Sequence, residues 1–188
     1  MTVTKALRLF LLLTLVTGVV YPIGMTITAR MLFPECAGGS IVKRKGVPAG
    51  SALLAQKFES PRYFHPRPSA SDFSTIPSGA GNQGPTSTAL KNAVRERAAS
   101  LRAAHALHSD APVPPDLLFA SGSGLDPHIS PAAIVFQMDR IAGARGFTPE
   151  QRLRLEKVSR EFIEPPQFGF LGEARVNVLL LNLALDAL

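Results

Sequence analysis

The chain has 188 residues, 46% of them hydrophobic, and a formal net charge of +6. A single cysteine, Cys36, excludes an internal disulfide and a cysteine-built zinc cluster. The positive balance does not point to nucleic acid. Arg95, Arg97, Arg152, Arg154 and Arg160 are interrupted by Glu96, Glu150, Glu156 and Glu161, and the compact run Lys43-Arg44-Lys45 has no aromatic neighbour to stack a base.

Residues 1–8 form a basic tail carrying Lys5 and Arg8, and from Leu9 to Ala29 no residue is charged. At a helical rise of about 1.5 Å these residues span roughly 31 Å, matching the ~30 Å hydrocarbon core of a bilayer. The run Leu9–Val20 would also suit a cleaved signal peptide. Its apolar character continues past Tyr21, however, and Thr26-Ile27-Thr28 is a poor cleavage site. We therefore read residues 9–32 as an uncleaved single-pass helix and 33–188 as a soluble domain. Pro22 has no N–H for the carbonyl of Gly18, so an irregularity is expected between those two residues. Thr17, Tyr21, Gly24 and Thr28 recur at three- and four-residue intervals, a small and polar stripe of the kind that lets a second helix approach in lipid.

Beyond the anchor, Ile41-Val42 and Ala52–Ala55 around the turn at Gly46–Gly50 suggest a short strand pair. Ser60–Ala70 holds three prolines and must be extended, and a Gly/Ser/Asn/Pro-rich loop covers residues 78–87. The apolar stripe Leu90, Val94, Ala98, Leu101 and Ala104 predicts a helix over 86–108. Asp116–Ala120 reads as a strand or turn. Ser130 and Pro131 are placed as cap and first residue of a helix whose buried face is Ile134, Met138, Ile141 and Ala142, closed by Gly146. Thr148-Pro-Glu-Gln151 reads as a capping box opening a helix with Leu155, Val158 and Phe162. The last run, Val176–Asp186, is apolar on most sides and implies a buried helix, with a strand at its start left open; Asn177 and Asn182 within it must pin neighbouring backbone. The fold class is α+β: one N-terminal transmembrane helix, then one soluble domain of about four helices with a few short strands.

Three sets of residues are candidate sites. Gly79–Gly84 fits G-x-G-x-x-G formally, but the preceding residues do not form a buried strand. Asn82, Gln83 and Gly84 are thus weak ligand candidates at a helix entrance. Ser121 or Ser123 with Asp126 and His128 could supply nucleophile, orienting carboxylate and base, although Gly-x-Ser-x-Gly is absent. Asp126 and His128, with His65, could also contribute metal ligands. We read the glycines and Asp126 as a tight turn aiming Ser130, assign no catalytic or metal-ligating residue, and keep a membrane-anchored hydrolase as the alternative.

Four phrases then stand out together. Tyr63-Phe-His-Pro-Arg-Pro-Ser-Ala70, Ser78-Gly-Ala-Gly-Asn-Gln-Gly-Pro-Thr86, Ala120-Ser-Gly-Ser-Gly-Leu-Asp-Pro-His-Ile-Ser130 and Arg175-Val-Asn-Val-Leu-Leu-Leu-Asn-Leu-Ala-Leu-Asp186 resemble the small C subunit of the bacterial Kdp potassium-transporting ATPase. The resemblance covers nearly the whole chain and departs from the family at Ala55, Ala80 and Ser87. It implies a non-catalytic accessory subunit of an ATP-driven potassium uptake complex in the bacterial cytoplasmic (inner) membrane. Its implied partners are a channel-like potassium-selecting subunit and a P-type ATPase catalytic subunit, whose assembly and ATP affinity it raises. It further implies that ATP acts on the catalytic partner, no cofactor being assigned to this chain, with the N-terminus cytoplasmic and the domain outside. In that setting Thr17, Gly18, Tyr21, Pro22, Gly24, Thr28, His65, Arg67, Ser121, Ser123, Asp126 and His128 become candidates for subunit interfaces.

Overall fold

The computed structural model describes residues 2–188, which divide into two compact units, up to Val42 and from Lys43 onward. In the first, α1 (Thr2–Leu15), a π turn (Val16–Val20) and α2 (Tyr21–Leu32) form one continuous helix of 31 residues, long and apolar enough to cross a membrane. It begins before the expected Leu9. At ~1.5 Å per residue it measures roughly 46 Å, more than a hydrocarbon core requires.

The expected irregularity is the π turn. Tyr21 N–H reaches back five residues to the Val16 carbonyl, so the hydrogen-bond ladder changes step just ahead of the proline that would have broken it. Thr17, Thr26 and Thr28 turn their hydroxyls back onto the carbonyls of Leu13, Pro22 and Gly24 at 2.7, 2.8 and 2.9 Å. No polar hydroxyl of these three is left for lipid to solvate. After Leu32 the chain leaves the helix at Phe33 and makes a single turn, α3 (Pro34–Ala37).

β1 (Ile41–Arg44) and β2 (Val47–Ser51) form a two-stranded sheet. Both turn residues between them, Lys45 and Gly46, have positive φ, the type I′ geometry that matches strand twist. Residues 52–87 then run without helix or strand. α4 (Thr88–Ala104) starts at a Ser87 cap that accepts from Leu90 N–H, so it is shorter at both ends than the periodicity predicts. Asp116–Ala120 differs from expectation: Pro115–Leu118 is a one-turn helix, α5, entered by proline at its first position. α6 (Pro131–Arg145) has its Ser130 cap and a left-handed Gly146 at its end, and α7 (Pro149–Glu161) has the full Thr148–Gln151 box. The final run splits as the open alternative allowed. β4 (Val176–Asn177) pairs antiparallel with β3 (His128–Ile129), His128 opposite Asn177, and α8 (Val178–Leu185) follows at once, capped by Asn177.

The core gathers around Phe64, Leu117, Ile129, Ile134, Ile141, Leu155, Val176, Leu181 and Leu185. Burying each large side chain of this kind is worth ~1.5–3 kcal/mol. α8 is buried along most of its length, with α6, α7 and the extended segment around Phe64 contributing to the same core.

Candidate functional site

Phe64 enters that core from a stretch that cannot build a sheet. Pro61, Pro66 and Pro68 have no N–H, yet Phe64 is fully buried and takes its backbone with it. Side chains from two helices replace the missing strand. Asn182 accepts from Phe64 N–H and donates to Phe64 O, both at 2.9 Å. Gln137 does the same for His65, at 2.8 and 3.1 Å. Arg140 donates to the carbonyls of Pro61 and Tyr63, and Arg145 to that of Arg62. Asn182 and Gln137 are 2% and 1% exposed.

The charges around this segment are shaped by it. Asp186 is largely buried, which would raise its pKa. Hydrogen bonds from Arg145 and Tyr63 and the charges of Arg145 and Arg44 outweigh burial and hold the carboxyl below its ordinary value. Arg145 also lies over the Tyr63 ring, 5.0 Å from its centroid. Burial, then the neighbouring Arg140 charge, lowers His65 and brings His105 to about 4, so both rings are neutral near pH 7; burial also lowers Arg140 to about 10. His65 Nε2 lies 3.0 Å from Ser60 O, and His105 Nε2 accepts from Arg140 Nε at 3.3 Å.

The second phrase of interest, 120–130, packs directly on this segment. Ser121 N–H donates to Pro68 O, Ala55 N–H to Leu125 O, and Val178 N–H to Pro127 O. Gly124 has φ +71, and a Cβ there would lie 2.8 Å from Ser71 Oγ and 3.0 Å from Gly79 O. That glycine serves a close approach rather than a strained nucleophile. Ser121 is buried. Ser123 Oγ accepts from Leu125 N–H in a local turn, and Asp126 Oδ1 accepts from His128 N–H at 3.0 Å. His128 Nδ1 is 3.6 Å from Asp126 Oδ1, while Asp126 Oδ2 takes Arg67 Nη1 at 3.2 Å. The hydrolase arrangement is corrected here: Ser121 is buried, Ser123 Oγ is taken by Leu125 N–H, and Asp126 is shared with Arg67 and with backbone. Among the described residues no three of His, Cys, Asp and Glu group as metal ligands, so His65, whose Nε2 faces Ser60 O, does not join Asp126 and His128.

Arg67, Asp126 and His128 instead line a charged cleft of about 350 Å³ with Asp116, Glu173 and Arg175. Arg67 Nε is buried in it without a hydrogen-bond partner. Elsewhere, Asn82, Gln83 and Gly84 are exposed. Gln83 Oε1 accepts from the Ser87 hydroxyl, and Arg97, the cation beside the hollow there, donates to Leu118 O at 2.8 Å.

The four phrases thus meet: 63–70 lies against 120–130 and 175–186, and Gly79 of 78–86 borders Gly124. A family model described as "K+-transporting ATPase, c chain" matches residues 3–187. The chain belongs to this family. It is 48% identical to a potassium-transporting ATPase KdpC subunit of Cereibacter sphaeroides over 97% of this chain and 95% of that one. Equally named subunits of Methylococcus capsulatus and Polaromonas naphthalenivorans are 49% and 50% identical over 97% of this chain and 96% and 93% of theirs.

Sequence reading missed Gln137, Arg140, Arg145 and Asp186. Gln137 had a signal: it falls between Ile134 and Ile141 on the apolar stripe of α6, as Asn182 falls between Val178 and Leu185 on α8. A polar residue at such a position needs a buried partner.

Proposed function

We propose that the chain is the accessory subunit of an ATP-driven potassium uptake complex, single-pass in the bacterial cytoplasmic membrane with its N-terminus cytoplasmic and its domain outside. It aids assembly with a channel-like potassium-selecting subunit and a P-type ATPase subunit, and it raises the ATP affinity of the latter without catalysing a reaction itself. The observation that carries this reading is the family match over 3–187, joined to a site where the Ser123 and Asp126 side chains accept backbone N–H groups of their own loop. With the domain outside, ATP acts on the catalytic partner, and the effect on its affinity is transmitted through subunit contacts rather than through Asn82–Gly84.

The anchor stripe is the membrane contact. Gly18 and Gly24 have open space around them within the chain, so Gly24→Leu leaves the chain's own fold intact while blocking close helix approach. On the domain, Arg67, Ser123, Asp126 and His128 reach the surface and form the docking face; buried Ser121 and His65 tie down the loop and the segment that carry it, through Pro68 O and Gln137.

Co-purification of the detergent-solubilised chain with two larger membrane subunits, with potassium-limited growth, tests the reading. Wild type is expected to bring both subunits and support growth; a chain that runs alone and leaves uptake unchanged sinks the proposal. Omitting the chain should raise the complex's KM for ATP. His128→Ala is expected to weaken the complex with the subunit still folded; loss of a hydrolytic activity with the complex intact would favour the enzyme. Exposed Cys36 reports orientation: labelling by an impermeant thiol reagent in intact spheroplasts is expected, and protection until lysis counts against the outward domain.

A further inference from the structure

Between α7 and β4 the chain makes a stiff finger. Glu164 and Arg175 exchange backbone hydrogen bonds at 2.8 and 3.0 Å, their side chains pair at 3.0 Å, and Gln167 and Leu171 exchange a second pair at 2.9 Å. The tip turns through Phe168 and Gly169, both at positive φ, an uncommon conformation for a bulky side chain. It leaves Phe168 87%, Phe170 76% and Leu171 49% exposed. Residues 165–172 carry no charge. Phenylalanine is ordinarily among the buried residues of a domain, and here two are held outward on one ribbon tip against both solvent and backbone preference.

We propose that this tip inserts into the lipid–water interface of the membrane that holds the chain's own helix. The inference rests on the anchoring reading above. The tip is a convex, uncharged loop, the shape of an interfacial wedge, and the Glu164–Arg175 pair marks its base, where charge meets headgroups. Residues 33–40 separate the anchor from β1, a linker that even fully extended, at ~3.3–3.6 Å per residue, spans less than about 30 Å. Tethering so short makes the second membrane contact intramolecular, and residues 33–188, with 17 Lys and Arg against 14 Asp and Glu, keep a positive balance that favours anionic headgroups.

The chain has no tryptophan, so one substitution gives one fluorophore. Full-length Phe168→Trp, Phe170→Trp and, as a control on exposed α7, Leu153→Trp are reconstituted into phosphatidylethanolamine–phosphatidylglycerol vesicles with nitroxide-labelled phosphatidylcholine in both leaflets. Expected are a blue-shifted emission and loss of about half the intensity at 168 and 170, as for rings seated ~5–10 Å into the interface, with little change at 153. Quenching at 168 and 170 no greater than at 153 overturns the inference. So does shielding that arises only when the larger subunits are co-reconstituted, which assigns the tip to a protein partner. If the chain fails to float with the vesicles, the anchoring reading falls and the inference with it.

Discussion

The membrane helix and the segment around Phe64 face one problem and solve it in opposite ways. Both must satisfy backbone groups where water cannot. The helix does so within itself, through a ladder that steps past Pro22 by a π turn and through threonines that bond their own preceding carbonyls. The segment has too many prolines for a ladder and depends on four distant side chains, Asn182, Gln137, Arg140 and Arg145. Redundancy is therefore spread along the helix and concentrated in the domain. One substitution in the helix removes one contact of many, whereas one substitution at a clamp orphans a donor and an acceptor together.

The largest effect is expected at the clamps. Asn182→Leu keeps the volume and strands Phe64 N–H and C=O in the core, at about 1–3 kcal/mol for each group. Chemical denaturation of the detergent-solubilised chain should show that loss, and Gln137→Leu should follow it. Near-wild-type stability would mean that the segment can satisfy itself and would end the contrast with the helix.

Next comes the loop that packs on the segment. Gly124→Ala adds a Cβ against Gly79 O at a left-handed position, for a loss of about 2 kcal/mol. The same denaturation series measures it.

Acid sharpens the comparison because shifted groups lie against the clamping arginines, His105 on Arg140 and Asp186 on Arg145. His105 has a folded pKa of about 4 against an ordinary 6.5, so the fold favours its neutral form and loses stability as pH falls from 6.5 toward 4. Asp186 is lowered from 3.8, so its contribution is present above that value and lost as pH falls through its folded value. Melting temperature against pH should decline in two stages, the first flattened by His105→Gln and the second by Asp186→Asn.

The smallest effect belongs to the helix. Thr17→Val removes one hydroxyl that bonds only its own helix, and the chain's helix content by circular dichroism should not change measurably. A large loss would show that the anchor is as finely poised as the segment.

Legibility followed the same line. Ser130 with Pro131, Gly146, and Thr148 with Gln151 were readable because each signal and its partner lie within a few residues. Asn177 and Asn182 were readable as amides in need of backbone, though not whose. Gln137 carried the same signal as Asn182, but its partner and those of Arg140 were not readable: the carbonyls they serve lie 72–79 residues away, beyond any periodicity. The 120–130 loop offered the residue types of a hydrolase, and only three-dimensional placement revealed Ser123 turned onto Leu125 and Gly124 filling a narrow gap.

The Asn182 clamp also has a history in time. Phe64 leaves the ribosome 118 residues ahead of the amide that completes it. Throughout that interval the segment's buried-to-be N–H and carbonyl have only water or a chaperone as partners, and nothing local can bring the chain to rest early. The Asn182 bonds to Phe64 require closure of a loop of 118 residues, the kind of non-local contact that forms slowly. Phe64 is therefore a position whose native backbone partner does not exist until the chain is nearly complete.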